Sequence, residues 1–140
     1  MNPKISVITI SYNNKEGLEK TLKSVISQDY KDFEYIVIDG GSKDGSKEII
    51  EKYSHRISHW VSEPDKGIYN AMNKGIEAAN GEYLLFLNSG DHFYNEKALS
   101  TGSEYLNNED LVYFDLEIVD DETRFIKKYP DKLSLFYFFY

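Results

Sequence analysis

The chain has 140 residues, the size of one compact domain; 41% hydrophobic and 15% aromatic content with only 3 Pro supports a core and excludes disordered, collagen-like or linker sequence. Its 16 Lys and Arg against 24 Asp and Glu give a net charge of -8, which argues against nucleic acid as a partner, because phosphate-backbone affinity rests on a basic surface. The absence of Cys excludes disulfides, thiolate metal sites and Cys nucleophiles together, and it fits a reducing compartment, so the expected location is the cytoplasm.

The first apolar run, Ile5 to Ile10, is too short for a signal h-region and for the roughly 20 residues that cross a bilayer. Ile5 to Ser11, rich in β-branched residues, predicts a buried first strand ending in a turn at Tyr12-Asn13-Asn14. Leu18, Leu22, Val25 and Ile26 form one helical stripe, and Phe33 to Asp39 predicts a second strand running into Gly40-Gly41-Ser42, which completes a βαβ unit. A helix over Ser46 to Tyr53 and a short strand over His59 to Ser62 follow. Ile68, Met72, Ile76 and Ala79 then recur at helical spacing, and Gly81 closes that helix. Tyr83 to Leu87 is the most apolar strand and is expected at the centre of the sheet, with Asn88-Ser89-Gly90-Asp91 as the loop at its carboxyl end. Beyond it the pattern predicts a helix over Lys97 to Asn107, a strand from Leu111 to Val119, a turn at Asp120 to Thr123 and a strand from Arg124 to Tyr129, the last two strands forming a hairpin. The sum is an α/β fold, a mostly parallel sheet flanked by helices with a C-terminal β-hairpin, in a single domain over residues 1–140. The tail from Leu133 to Tyr140 is apolar and aromatic to its last residue. It reads either as the cut edge of a longer protein or as a docked helix with Leu133, Phe136, Tyr137 and Tyr140 on one face.

In open parallel sheets ligands lie beyond the carboxyl ends of the strands. Three loops meet that edge with similar contents: Ser11-Tyr12-Asn13, Asp39-Gly40-Gly41-Ser42 and Asn88-Ser89-Gly90-Asp91. Turn chemistry accounts for any one of them, because Asn, Asp, Gly and Ser dominate turns for backbone reasons. Read jointly, they suit a nucleotide: a ring to stack on Tyr12, a carboxylate such as Asp39 for a base N–H or ribose hydroxyl, and an Asp at a glycine turn for a divalent cation. The run from Gly40 to Ser46 matches neither the G-x-G-x-x-G fingerprint nor the Walker pattern, and Ser42 or Asp44 can instead cap the next helix. His55, His59 and His92 show no metal-ligand spacing and read as surface residues. A receiver-type signalling domain, also acidic and α/β, places acids at the ends of the first and third strands, where the first-strand loop here offers Tyr12 and Asn13.

Three segments together, ISVITISYNN, FEYIVIDGGSKDGS and SEPDKGIYNAMNKGIEAANGEYLLFLNSGD, resemble the family 2 glycosyltransferases of GT-A fold over essentially the whole chain. The resemblance implies inverting transfer of a sugar from a nucleotide-diphosphate donor, commonly UDP-linked, to a saccharide or lipid-linked acceptor in cell-surface or extracellular polysaccharide synthesis. It implies Tyr12 at the base, Asp39 at the base edge, Ser11 and Asp44 lining the same pocket, and Asp65 approaching from the end of the third strand. Asn88 stands where many relatives carry the first acid of the metal motif, and Asp91 is implied as the ligand of Mg²⁺ or Mn²⁺ bridging the diphosphate. Asp91 is the only carboxylate in that loop, so phosphate and water are expected to complete the metal shell. Met72 replaces an Arg found in many relatives, which leaves Lys66 and Lys74 as candidates to meet the diphosphate charge.

In the family the general base lies in the second half of the domain, so here it is expected beyond Tyr140; Asp115, Glu117, Asp120 and Asp121 follow the metal loop, but their spacing assigns none of them. The chain is then the N-terminal, donor-binding portion of a longer enzyme, with Leu133 to Tyr140 packing on the missing half or in a homodimer. A lipid-linked acceptor implies peripheral contact at the inner face of a membrane. A competing reading keeps the nucleotide site but denies catalysis, making the chain a nucleotide-sugar binding or interaction module.

Overall fold

A computed structural model describes residues 1–128. The elements run β1 (Ile5–Ser11), α1 (Lys15–Ile26), β2 (Phe33–Asp39), α2 (Ser46–Tyr53), a 3-10 turn (Ser54–Arg56), β3 (His59–Ser62), α3 (Ile68–Ala78), β4 (Tyr83–Phe86), α4 (Ala98–Ser103), β5 (Leu116–Val119) and β6 (Arg124–Lys127). Two compact units divide the chain, Met1–Thr101 and Gly102 onward. The segment from Leu133 to Tyr140, and with it the expected packing or dimer surface, lies outside the described residues.

In the first unit four strands form a parallel sheet in the order β3-β2-β1-β4. Every residue of β1 is buried, as its β-branched run predicts for a strand covered on both faces. Ile8 pairs with Ile36 and Ile10 with Ile38, and this face packs on Ala71 of α3. Gly75 lets that helix lie close, because a Cβ there would collide with Ile8. Val7, Thr9, Tyr35 and Val37 alternate onto the opposite face, where the Tyr35 and Thr9 hydroxyls pair at 2.9 Å. Burial raises the Tyr35 hydroxyl far above its ordinary pKa, so it stays protonated. On that side α1 and α2 contact β1 and β2, with Leu18, Leu22, Val25 and Ile50 completely buried.

Among the described residues, the apolar strand expected at the sheet centre lies at its edge. β4 has β1 as its one partner among the described residues, and Leu84 is 43% exposed. Apolarity reports how a strand's faces are covered and carries no record of its lateral neighbours. In the second unit the expected hairpin forms, with β5 and β6 antiparallel from Leu116 beside Lys127 to Val119 beside Arg124. β5 starts at Leu116, later than its apolar run, beside the end of β6 at Lys127; Tyr129, the expected end of that second strand, lies outside the described residues. α4 stops at Ser103, after Gly102, where weak helix formers end it before Asn107.

Candidate functional site

β1 and β2 run in register from Ile5 beside Phe33 to Ser11 beside Asp39, and the Gly40 amide then donates to the Ser11 carbonyl at 2.9 Å. The two chains therefore leave the sheet side by side. Asp39 is fully buried, and its carboxylate accepts from Ser42 N at 3.0 Å, from Ser62 Oγ at 2.7 Å and from Ser42 Oγ. Such satisfaction is what makes a buried carboxylate tolerable. Ser42 Oγ in turn accepts from Asn13 N at 2.7 Å, and Asn13 Oδ1 accepts from Lys43 N at 2.9 Å. Asn13 holds this position with φ of 48°, a left-handed conformation in which Asn is enriched. A relay from Asp39 through Ser42 to Asn13 thus fastens the two loops together.

Beside this relay Tyr12 and Asp65 converge on Gly40. A Cβ at Gly40 would lie 2.7 Å from Asp65 Oδ2 and 3.2 Å from Tyr12 Cδ2, so the glycine makes room for carboxylate and ring to approach. Asp65 Oδ1 accepts from Gly67 N at 2.8 Å, which anchors the carboxylate at the entry to α3. The Tyr12 ring is 67% exposed. An open aromatic face next to a carboxylate offers stacking and hydrogen-bond acceptance to one heterocycle. Ser11 Oγ, one residue earlier, is buried and has no hydrogen-bond partner among the described residues.

The loop after β4 is fastened to α1. Asn14 caps that helix by accepting from Gly17 N at 3.2 Å, and its Nδ2 donates to the Ser89 carbonyl at 3.2 Å. Thr21 and Ser24 continue the same stripe along α1, and Gln28 extends it just past the helix end. Thr21 Oγ1 donates to the Asp91 carbonyl at 2.7 Å and accepts from Gly90 N at 3.0 Å. Ser24 Oγ accepts from Phe93 N at 2.8 Å; Gln28, 1% exposed, donates to the Asn95 carbonyl and accepts from Leu99 N. The Asp91 side chain is exposed, whereas Asn88 Oδ1 is buried with no partner among the described residues. Among the described residues no three His, Asp or Glu side chains gather into a metal-binding group. The oxygens of Asp91 and the orphaned Asn88 fit a hard divalent cation that brings phosphate and water ligands with it.

Asp44 links two helix starts. Its Oδ2 accepts from Lys15 N at 2.8 Å, and its Oδ1 accepts from Ser46 Oγ at 2.6 Å and Ser46 N at 3.0 Å. The Ser46 hydroxyl first, with the Lys15 and Ser46 amides, holds the carboxyl below its ordinary pKa. A depressed folded pKa contributes stability that is complete above the unfolded value of about 3.9 and is lost as pH falls through the folded value. Thermal midpoints from about pH 5 to about pH 2.5 are therefore expected to fall less steeply in Asp44→Asn than in the parent chain.

The structure brings Tyr12 and Asp65 together at Gly40, with Asp39 in the relay that holds their loops. Asp44 sits at the helix starts, and Asn88 and Asp91 sit on the α1-bound loop. Lys74 is drawn into an ion pair with Glu63 at 2.7 Å, while exposed Lys66 makes no ion pair among the described residues. His55, His59 and His92 are all exposed. In the second unit, Glu117 pairs with Arg124 at 2.8 Å, and Asp120 accepts from the Thr123 hydroxyl and the Glu122 and Thr123 amides. The Thr123 hydroxyl first, then those amides, lower the Asp120 pKa, away from the range of a base working near neutrality. The helical pattern shows only the apolar stripe of α1; the spacing of Asn14, Thr21, Ser24 and Gln28 is the available signal for its second, polar stripe.

A parallel sheet with aromatic and acidic loops gathered at its carboxyl edge makes this an open α/β domain, the class in which ligands lie at that edge. The sequence model described as Glycosyl transferase family 2 matches residues 6–140, and the chain belongs to that family. It is 44% identical over 106 residues to an uncharacterized glycosyltransferase of Mycobacterium tuberculosis, covering 75% of this chain and 40% of that protein. It is 33% identical over 134 residues to a GalNAc(5)-diNAcBac-PP-undecaprenol beta-1,3-glucosyltransferase of Campylobacter jejuni, covering 93% of this chain and 43% of the relative. The chain thus spans less than half the length of these relatives. Among solved structures, S. aureus TarS 1-349 in complex with UDP-GlcNAc matches with TM-score 0.66 and 29% identity over 74% of this chain and 31% of that one. The fold is GT-A. The mannosyltransferase PcManGT of Pyrobaculum calidifontis, in complex with GDP-Man and Mn²⁺, shares it at TM-score 0.69 and 23% identity, over 77% of this chain and 33% of its own. Among the described residues no helix is long and apolar enough to cross a membrane.

Proposed function

We propose that this chain forms the donor-binding part of an inverting glycosyltransferase that moves a sugar from a nucleotide-diphosphate donor, of the UDP class, to a saccharide or lipid-linked acceptor in glycan assembly. The observation that carries this reading is the convergence of the exposed Tyr12 ring and the Asp65 carboxylate on Gly40 at the carboxyl edge of the sheet. The UDP-GlcNAc bound by the TarS structure and the undecaprenol-linked substrate named for the Campylobacter relative support the donor and acceptor classes.

In this reading Tyr12 stacks on the base and Asp65 accepts from the nucleoside. Asp39 keeps its three internal partners, and with them the shape of both loops, while its remaining acceptor capacity faces the base edge. Ser11 Oγ and Asn88 Oδ1, each buried without a partner among the described residues, take up hydrogen bonds from the donor. Asp44 lines the pocket through the loop it ties down. Asp91 holds Mg²⁺ or Mn²⁺, which when bound supplies charge stabilisation to the departing diphosphate. Lys66 adds a mobile positive charge. Inverting transfer also needs a base at the acceptor hydroxyl. Glu117 and Asp120 are committed to hairpin contacts, and, as the family resemblance implies, we place the base beyond Tyr140, in the remainder of the whole enzyme, at the cytoplasmic face where a lipid-linked acceptor lies.

Calorimetric titration of UDP into the folded chain, with and without Mn²⁺, tests the reading. Binding that strengthens with the metal is expected, and Tyr12→Ala is expected to cost about 1 to 3 kcal/mol of it through lost base stacking. A folded chain that binds UDP in neither condition overturns the UDP reading. Affinity unchanged in Tyr12→Ala removes the ring from the site.

A further inference from the structure

The metal loop after β4 owes its shape to a helix far from it in sequence, and one side chain carries most of that connection. Thr21 is fully buried in the middle of α1. Its hydroxyl accepts from Gly90 N at 3.0 Å and donates to the Asp91 carbonyl at 2.7 Å, with the Gly17 carbonyl at 3.0 Å and the Asn88 carbonyl at 3.4 Å also in reach. A hydroxyl has one proton and two lone pairs, so the Asp91 carbonyl, the shortest of the three acceptors, competes with the back-bond to Gly17 that a mid-helix Thr ordinarily makes. Between its two loop contacts lies Gly90, with φ of 104°. The turn also closes on itself through Asp91 N to the Asn88 carbonyl at 2.9 Å. The backbone on both sides of the Asp91 side chain's starting point is thereby fixed, while that side chain itself stays exposed.

We propose that Thr21 is a positioning residue for cation and diphosphate binding: its hydroxyl sets the direction in which the Asp91 carboxylate leaves the loop. The inference rests on the nucleotide-diphosphate reading of Asp91. Asn14, Ser24 and Gln28 hold the flanking parts of the same loop, but only Thr21 meets both Gly90 and Asp91.

The test compares Thr21→Val, which keeps the shape and removes the hydroxyl, with Thr21→Ser, which keeps the hydroxyl. The readouts are the ratio of UDP affinities with and without Mn²⁺, and hydrogen exchange at the Gly90 amide relative to core amides of β1. The parent chain and Thr21→Ser are expected to share the same metal-dependent gain. Thr21→Val is expected to lose about ten- to a hundredfold of it, the range seen when groups that orient metal ligands are removed, and to exchange faster at Gly90 alone. A folded Thr21→Val that keeps the gain overturns the proposal. Should Thr21→Val not fold, Thr21→Ser decides, because loss of the gain in a folded chain that retains the hydroxyl overturns it equally. Absence of any metal-dependent gain in the parent chain overturns the reading of Asp91 and this inference with it, so the two failures are told apart by the parent titration.

Discussion

Asp39→Ala is expected to destabilise the fold by about 3 kcal/mol and to weaken nucleotide binding with and without metal. The substitution strips the acceptor from three donors in a fully buried position: Ser42 N, Ser42 Oγ and Ser62 Oγ. The hydroxyls can turn to other partners, but the Ser42 amide cannot, and an orphaned buried donor costs about 1 to 3 kcal/mol. Losing the bond to Ser42 also frees Asn13, whose amide leans on Ser42 Oγ, so Tyr12 loses its fixed place beside Gly40. Denaturant unfolding checks the first part and UDP titration the second. Asp39→Asn, which keeps one acceptor oxygen, is expected to fall between the parent and Asp39→Ala in both. A stability loss under about 1 kcal/mol in Asp39→Ala would show that the relay does not hold the loops.

Asp91→Asn is expected to do the reverse: leave stability unchanged and remove the metal-dependent gain in UDP affinity, a loss of about tenfold or more, worth about 1.4 kcal/mol per factor of ten. Its carboxylate is exposed, and the loop is held by its backbone through Thr21 and the Asn88 carbonyl, neither of which the substitution touches. Asn keeps one neutral oxygen where a hard cation prefers a charged one. Titration of UDP with and without Mn²⁺ separates the roles. Matching losses in the Asp39 and Asp91 variants under both conditions would sink the division between a loop anchor and a metal ligand.

Much of the fold is legible in the order of residues. The strands Ile5–Ser11, Phe33–Asp39 and His59–Ser62 stand where the apolar runs place them, and α2 covers Ser46–Tyr53 as its pattern predicts. These are strong local signals, flanked by Asn, Gly and Ser turns. Legibility falls where length or position depends on a partner: among the described residues β5 pairs with β6 only from Leu116 to Val119, and β4 has β1 as its one partner despite its apolarity. For the candidate site, motif resemblance is what points to Tyr12, Asp65 and Asp91. Lys74 reads as a free cation in the sequence, whereas in the fold Glu63 is its partner. No motif names Thr21 and Ser24; the spacing of the polar stripe is the signal they leave, and short polar side chains on a helix ordinarily face water.

The kinds of elements, their parallel arrangement and the loops that reach the carboxyl edge follow from the sequence, because periodicity and turn chemistry are properties of neighbouring residues. Strand order, the burial of Asp39 behind Ser42 and Ser62, and the fastening of the loop at Asn88–Asp91 to α1 arise only in the folded chain. The last depends on bonds such as Thr21 to Asp91 and Ser24 to Phe93, between residues 70 and 69 positions apart, which form when packing brings α1 alongside the chain leaving β4.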